Sequence, residues 1–361
     1  MPSTNTKSRR PRPMNVHVHR GSVAERKYRA VAGVPGLLPE ELAPGLSPMP
    51  AHDLLFHGGK TIRNLTYTNF YVGADAWDQS DIQNIDRALD AAMSEPTLNN
   101  VMAQYFSGVP TTKFAASKTL PGAAPEQATK DDIEQMVNTL HGQGKLSGFD
   151  FSSTVFNFML PRGTVLVDDP TAGESKGGRK AKRRPVGDDD DKASSLEGLG
   201  GFHGSVQVGG TTIYYAVGVF SEGSNGIPVF DASWKNVVAT FYHELNEART
   251  DPDVGQVING GPASMLGWNS RQGEECGDFP VFEANPLTKV FQEVPMAGGG
   301  TAPVQFQYSN FVHGPEGPAA SPHPPANQKG THRRSAAARR PSRRPMPGSA
   351  LRSRRAGSAG Y

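Results

Sequence analysis

The chain has 361 residues, 36% of them hydrophobic, with 41 Gly, 30 Pro and a single Cys. One thiol excludes an internal disulfide framework, and no run of about 18 apolar residues is present to span a membrane as a helix. The formal net charge of +2 averages two basic ends around an acidic middle. Residues 1–50 carry eight Lys/Arg against three Asp/Glu, residues 319–361 ten against none, and 51–318 carry 19 against 32.

An acidic body suits divalent cations and argues against specific nucleic-acid binding by the fold, whereas the basic ends suit weak, unspecific contact with polyanions. Residues 1–57 are rich in Pro, Arg and His without sustained periodicity and are expected to form a disordered basic arm. Lys7, Arg9, Arg10 and Arg12 are followed by no apolar core of a secretory signal, so the default expectation is a cytoplasmic chain.

The ordered domain is expected over 58–317. Lys60 to Val72 alternates polar and apolar residues, a strand pattern, and Gly73 ends it. Ser80 to Met93 reads as a helix capped by Ser80, with Ile82, Ile85, Leu89 and Ala92 at helical spacing and Pro96 closing it. Thr97 to Phe106 continues as a second short helix. Residues 107–127 read as a Gly/Pro/Thr loop, or a weak strand around Lys113 to Ala116. Thr129 to His141 is a helix capped by Thr129, and Thr154 to Pro161 a buried strand. Residues 168–198, with a basic run at Arg179–Arg184 and an acidic run at Asp188–Asp191, read as a solvated low-complexity insert. Thr212 to Phe220 is a β-branched and aromatic strand, and Val304 to Tyr308 a short one. From 318 to 361 the Pro/Arg/Ser/Ala composition predicts a disordered tail. The sum is an α/β fold: a small mixed sheet (60–72, 154–161, 205–220) backed by helices at 80–106 and 129–141, with a helix at 233–251 along it.

That last helix carries the chemistry. His243-Glu244-Leu245-Asn246-Glu247 is an H-E-x-x-E pentad. The related H-E-x-x-H pattern places two zinc ligands one helical turn apart, with the intervening Glu as general base. Trp234, Val237, Val238, Phe241, Leu245 and Ala248 form an apolar stripe. His243 and Glu247 fall on the opposite side, where a cleft or plain solvent is expected. Downstream, Gly273-Glu274-Glu275-Cys276-Gly277-Asp278 sets carboxylates between two glycines, a bend able to return a third ligand to the helix.

The block H-E-L-N-E-A-R-T-D-P, followed by G-W and G-x-E-x-x-D, resembles a group of bacterial proteins with a zincin-like core and an H-E-x-x-E-A-x-T-D-P signature. More distantly, His203-Gly204-Ser205, Tyr214-Tyr215-Ala216-Val217 and Thr250-Asp251-Pro252 are similar to the plant EXORDIUM (phosphate-induced) family. The His-Glu pair is missing from the plant helix, and the plant cysteines are absent here apart from Cys276. The resemblance implies a metallopeptidase-like hydrolase that cleaves a peptide or protein substrate. Zn2+ would be held by His243 and Glu247, with Glu275 or Asp278 as third ligand and Asp251 competing. Glu244 would act as base, and His203, Tyr242 or Tyr308 would stabilise the oxyanion. It equally implies a non-catalytic, secreted or surface interaction protein. Oxygen ligands alone favour Ca2+ or Mg2+, and Asp251, Asp253, Glu275 and Asp278 form the alternative set, a structural Ca2+ site.

Overall fold

The computed structural model describes residues 15–19, 21–32, 46–169, 192–296 and 299–317. These belong to one compact unit; the second, 330–361, lies outside the described residues, as do the rest of the expected tail and most of the expected insert.

The fold is α/β, built on six strands: β1 (Val16–Val18), β2 (Asn64–Val72), β3 (Thr111–Leu120), β4 (Thr154–Met159), β5 (Leu199–Val208) and β6 (Thr211–Gly218). Their order across the sheet is β1-β5-β6-β4-β2-β3. The run β6-β4-β2-β3 is parallel, while β5 turns back on β6 and β1 on β5. Gly209 and Gly210, both at positive φ, make the β5–β6 turn; the strand expected at Thr212 to Phe220 is β6, and the sheet segment expected over 205–220 is part of a hairpin. Parallel strands need crossover connections, and helices supply them: α2 (Gln79–Ser94) leaves β2, and α3 (Lys130–Gly142) precedes β4.

Each helix lies where its sequence pattern directs it. Ile82, Ile85 and Leu89 of α2 pack with Tyr67, Tyr71, Val155 and Met159 on one face of the sheet. The same face receives Val237, Val238, Phe241 and Leu245 of α4 (Ser233–Thr250). Ile133, Val137 and Leu140 of α3 cover the other face against Phe70, Phe156, Phe158 and Val217. Burying each such aliphatic or aromatic side chain stabilises the fold by roughly 1.5–3 kcal/mol. Thr129 caps α3 through a reciprocal pair with Asp132, as its position predicts.

Four further expectations need correction. Thr97 to Phe106 forms two 3-10 turns, Pro96–Asn99 and Val101–Tyr105, because Asn99 turns its amide back onto the Met93 and Glu95 carbonyls. The supposed weak strand is the ten-residue β3. The arm expected to be disordered contains β1, the helix α1 (Val23–Ala32) and ordered chain from residue 46. What anchors it is side-chain chemistry: Tyr28 Oη donates to Asp168, and Lys27 meets Glu197 at 3.1 Å. Residues 192–198, placed in the insert, are also ordered, as a short strand and a turn. Among the described residues no helix is long and apolar enough to cross a membrane.

The end of α4 is pinned by Arg249. Its buried guanidinium donates to Asn99 Oδ1 (3.2 Å), the Arg63 carbonyl (3.0 Å) and the Thr111 carbonyl (2.9 Å). One planar fork thereby ties the helix to the chain leading into both β2 and β3.

Candidate metal centre

Every residue of α4 from Asn236 to Thr250 is buried. The solvent-facing or cleft-lining side expected for His243 and Glu247 is therefore absent. Other elements close over it: β5 beside the helix, the 273–278 bend above it, β1 beyond, and a hairpin of two strands, β7 (Phe291–Pro295) and β8 (Thr301–Gln305). The polar face of α4 points at polar partners instead of at water.

The i,i+4 spacing places His243 and Glu247 together, as the pentad predicts: His243 Nε2 lies 3.0 Å from Glu247 Oε2. A second imidazole comes to the same oxygen from the sheet. His203 of β5 has Nδ1 at 3.8 Å from Glu247 Oε2 and 3.3 Å from Glu244 Oε2. The approach is possible because Gly201, two residues earlier on the same face, has no side chain. A Cβ there would lie 2.4 Å from the Val217 carbonyl and 3.3 Å from Glu244 Oε1.

The glycine-flanked bend does reach the helix. The Gly277 amide donates to Glu247 Oε1 at 2.9 Å, and Glu275 Oε1 lies 3.6 Å from His203 Nε2. The Glu275 amide donates to Asp278 Oδ2 at 2.8 Å, tightening the turn. Glu274, next in line, points away to His52 Nδ1 (2.6 Å) and Ser270 Oγ (2.9 Å).

Among the described residues two ligand-capable groups emerge, His203/Glu244/Glu247 and His243/Glu247/Asp278, sharing Glu247. Of the expected ligands, His243, Glu247 and Asp278 fall in these groups, and Glu275 borders them through His203. Asp251 does not: its Oδ1 accepts from the Gly267 amide at 2.8 Å, holding the chain beyond the helix. Asp253 faces Lys60 and Tyr214, so the four-carboxylate set proposed for calcium is not assembled. Of the oxyanion candidates, Tyr242 Oη donates to the Leu98 carbonyl and Tyr308 Oη to the Met49 carbonyl, leaving only His203 at the centre.

Two contributors escaped the sequence reading. Gln305 of β8 bridges His243 and the bend: Oε1 lies 2.6 Å from His243 Nδ1, and Nε2 donates to the Gly277 carbonyl at 2.6 Å. His17 of β1 stacks on His243 with ring centroids 4.3 Å apart. The alternation Asn15-Val16-His17-Val18 is a faint strand signal; Gln305 has none.

Titratable groups are concentrated here, buried away from the surface. Burial, and then repulsion from Glu247, push the Glu244 and Glu275 carboxyls well above their usual range. Burial holds His203 down to about 4, although the Glu247 charge opposes it. His203 Nε2, His243 Nε2, Glu244 Oε1, Glu247 Oε2 and both Glu275 oxygens are buried without a hydrogen bond. Unpaired buried polar atoms are costly. A divalent cation would offset that cost, and imidazole with carboxylate is a donor set able to hold one. No protein family, curated protein or solved structure matches this chain.

Proposed function

We propose that the chain is a zinc-dependent hydrolase acting on peptide bonds, with His203, His243 and Glu247 as protein ligands. The observation that carries this reading is the meeting of two imidazoles, from different elements, on the one oxygen Glu247 Oε2. Asp278, grouped with His243 and Glu247, and Glu275, bordering His203, are the carboxylates that balance charge or complete the ligand set. When bound, zinc lowers the pKa of its water to about 7 and polarises a carbonyl.

The chain's own residues do the rest. Gln305 and Gly277 orient His243 and Glu247. Glu244, lifted by burial and with Oε1 unbonded, is suited to take a proton from water and return it to a leaving amine. Metal analysis of the purified chain tests this. Stoichiometric zinc is expected, lost in His203→Ala and Glu247→Ala. Glu244→Gln is expected to keep the metal and lose cleavage of a broad peptide library. A chain without zinc, or one in which His203→Ala binds it normally, ends the proposal.

A second reading has one observation in its favour: all the ligand side chains and Glu244 are fully buried. A structural metal in a non-catalytic interaction protein would look the same. Stoichiometric zinc with no cleavage of any library member favours it.

A further inference from the structure

β1 is the short edge of the sheet, and it lies directly over the proposed centre. It pairs antiparallel with β5 at Val16–Phe202, His17–Gly201 and Val18–Leu199. The ladder extends at both ends: the Asn15 carbonyl accepts from the His203 amide at 3.4 Å, and the His19 amide donates to the Gly198 carbonyl at 2.6 Å. The Asn15 side-chain amide also donates to the His203 carbonyl at 2.6 Å. The backbone of one proposed ligand is thus held on both sides by Asn15.

Side chains alternate across a strand. Val16 and Val18 enter the apolar layer beside Leu199, Phe202 and Phe282. His17 turns the other way, onto His243 and within 5.7 Å of Phe291. Both its ring nitrogens are buried without a hydrogen bond. The backbone is hydrogen-bonded and the valines are packed in this seat, whereas the imidazole gains ring stacking but no hydrogen bond. His19, just past the strand, lines a surface hollow of about 530 Å³ together with Pro228, Val229, Pro286 and Leu287.

We propose that Val16–Val18 fills, in cis, the seat of an extended peptide that adds as a strand to β5, and that substrate reaches the centre only when this segment is displaced. Strand addition is a general mode of peptide capture: main-chain hydrogen bonds supply affinity, and alternate side-chain pockets supply selectivity. The two pockets filled by Val16 and Val18 select aliphatic residues two apart. The residue between them faces the proposed zinc. That the captured peptide is then cut rests on the hydrolase reading; its capture does not.

The test uses the full-length chain with Val16→Asp and Val18→Asp, which places two charges in the apolar layer and releases β1. The probe is a fluorescent synthetic peptide of residues 13–20, titrated by anisotropy. The released variant is expected to bind it at least ten-fold tighter than the wild-type chain. The same peptide with Asp at both valine positions is expected not to bind. Equal binding by variant and wild type, or none by either, overturns the proposal. Hydrogen exchange on the wild-type chain supplies a reading that needs no variant. The His203 amide, bonded to Asn15, is expected to exchange at least 100-fold faster than the central amides of β6. Equal rates count against a detachable strand. Zinc content is measured on the same samples. Peptide capture without zinc ends the metal reading alone, and zinc without capture ends this one alone.

Discussion

His243 Nδ1 lies 2.6 Å from Gln305 Oε1, and the other end of that amide donates to the Gly277 carbonyl. The carbonyl can only accept, so the NH2 group must face it and the oxygen must face the ring. The proton of His243 then sits on Nδ1, and its Nε2 lone pair is aimed at Glu247. Partners of this kind fix ligand tautomer and orientation, and their loss commonly costs 10- to 100-fold in metal affinity. Gln305→Leu is expected to weaken zinc binding by about that factor while leaving the chain folded. Competition with a chromophoric chelator measures it, and an unchanged affinity removes Gln305 from the centre.

Gly277 offers a steric probe of the same contact. Its φ is −94°, a value any residue adopts, yet a Cβ would lie 2.3 Å from His243 Nδ1 and 2.5 Å from Cε1. Gly277→Ala must push the imidazole aside. The expected result is loss of bound metal comparable to that of His243→Ala, with roughly 1–3 kcal/mol of destabilisation from overpacking. Gly255→Ala is the control: its Cβ meets nothing nearer than 3.6 Å, and its stability should match or slightly exceed wild type. Metal content and urea midpoints of both variants decide the matter.

Away from the centre, Asp168 predicts a pH dependence. Burial pushes its carboxyl above the usual range, while Lys130 and the Tyr28 hydroxyl pull the other way. The folded state therefore holds this proton more tightly than the unfolded state. The resulting stability is fully present below the unfolded value of about 3.9 and is lost as pH rises through the folded value. Asp168→Asn keeps an oxygen for Tyr28 and removes the titration. Its unfolding free energy should fall less steeply than wild type from pH 4 upward, as read from urea melts. Parallel pH curves for the two proteins contradict this account.

Much of the body was legible because periodicity and caps report directly on burial. Ile82, Ile85 and Leu89 mark α2, and Thr129 marks the start of α3. The pentad's i,i+4 spacing and the glycines around Glu275 foretold that helix and bend would meet. Other parts were hidden for physical reasons. β3 is an edge strand whose only large apolar residues are Phe114 and Leu120 and none of whose residues is fully buried, so its apolar signal is weak. The first strand of the β5–β6 hairpin is masked by Gly200, Gly201 and Gly204, where a Cβ would meet His17 and Ile227, the Val217 carbonyl and α4, and the Tyr215 ring, respectively. The polar face of α4 looked solvated because a helical wheel cannot distinguish water from other polar side chains. Gln305 was invisible because its role is set by residues 62 and 28 positions away.

The members of this centre are scattered from residue 17 to residue 305, with strands, bend and hairpin each delivering one part. The final contributor, Gln305, follows nearly all of the ordered chain. During synthesis the pentad helix emerges well before the amide that orients its imidazole. Two histidines and several carboxylates are thus exposed to passing ions before the fold can discriminate among them. Such late closure is a kinetic burden typical of contacts distant in sequence. On the proposed metal reading, the finished body, more than the pentad alone, would choose the ion.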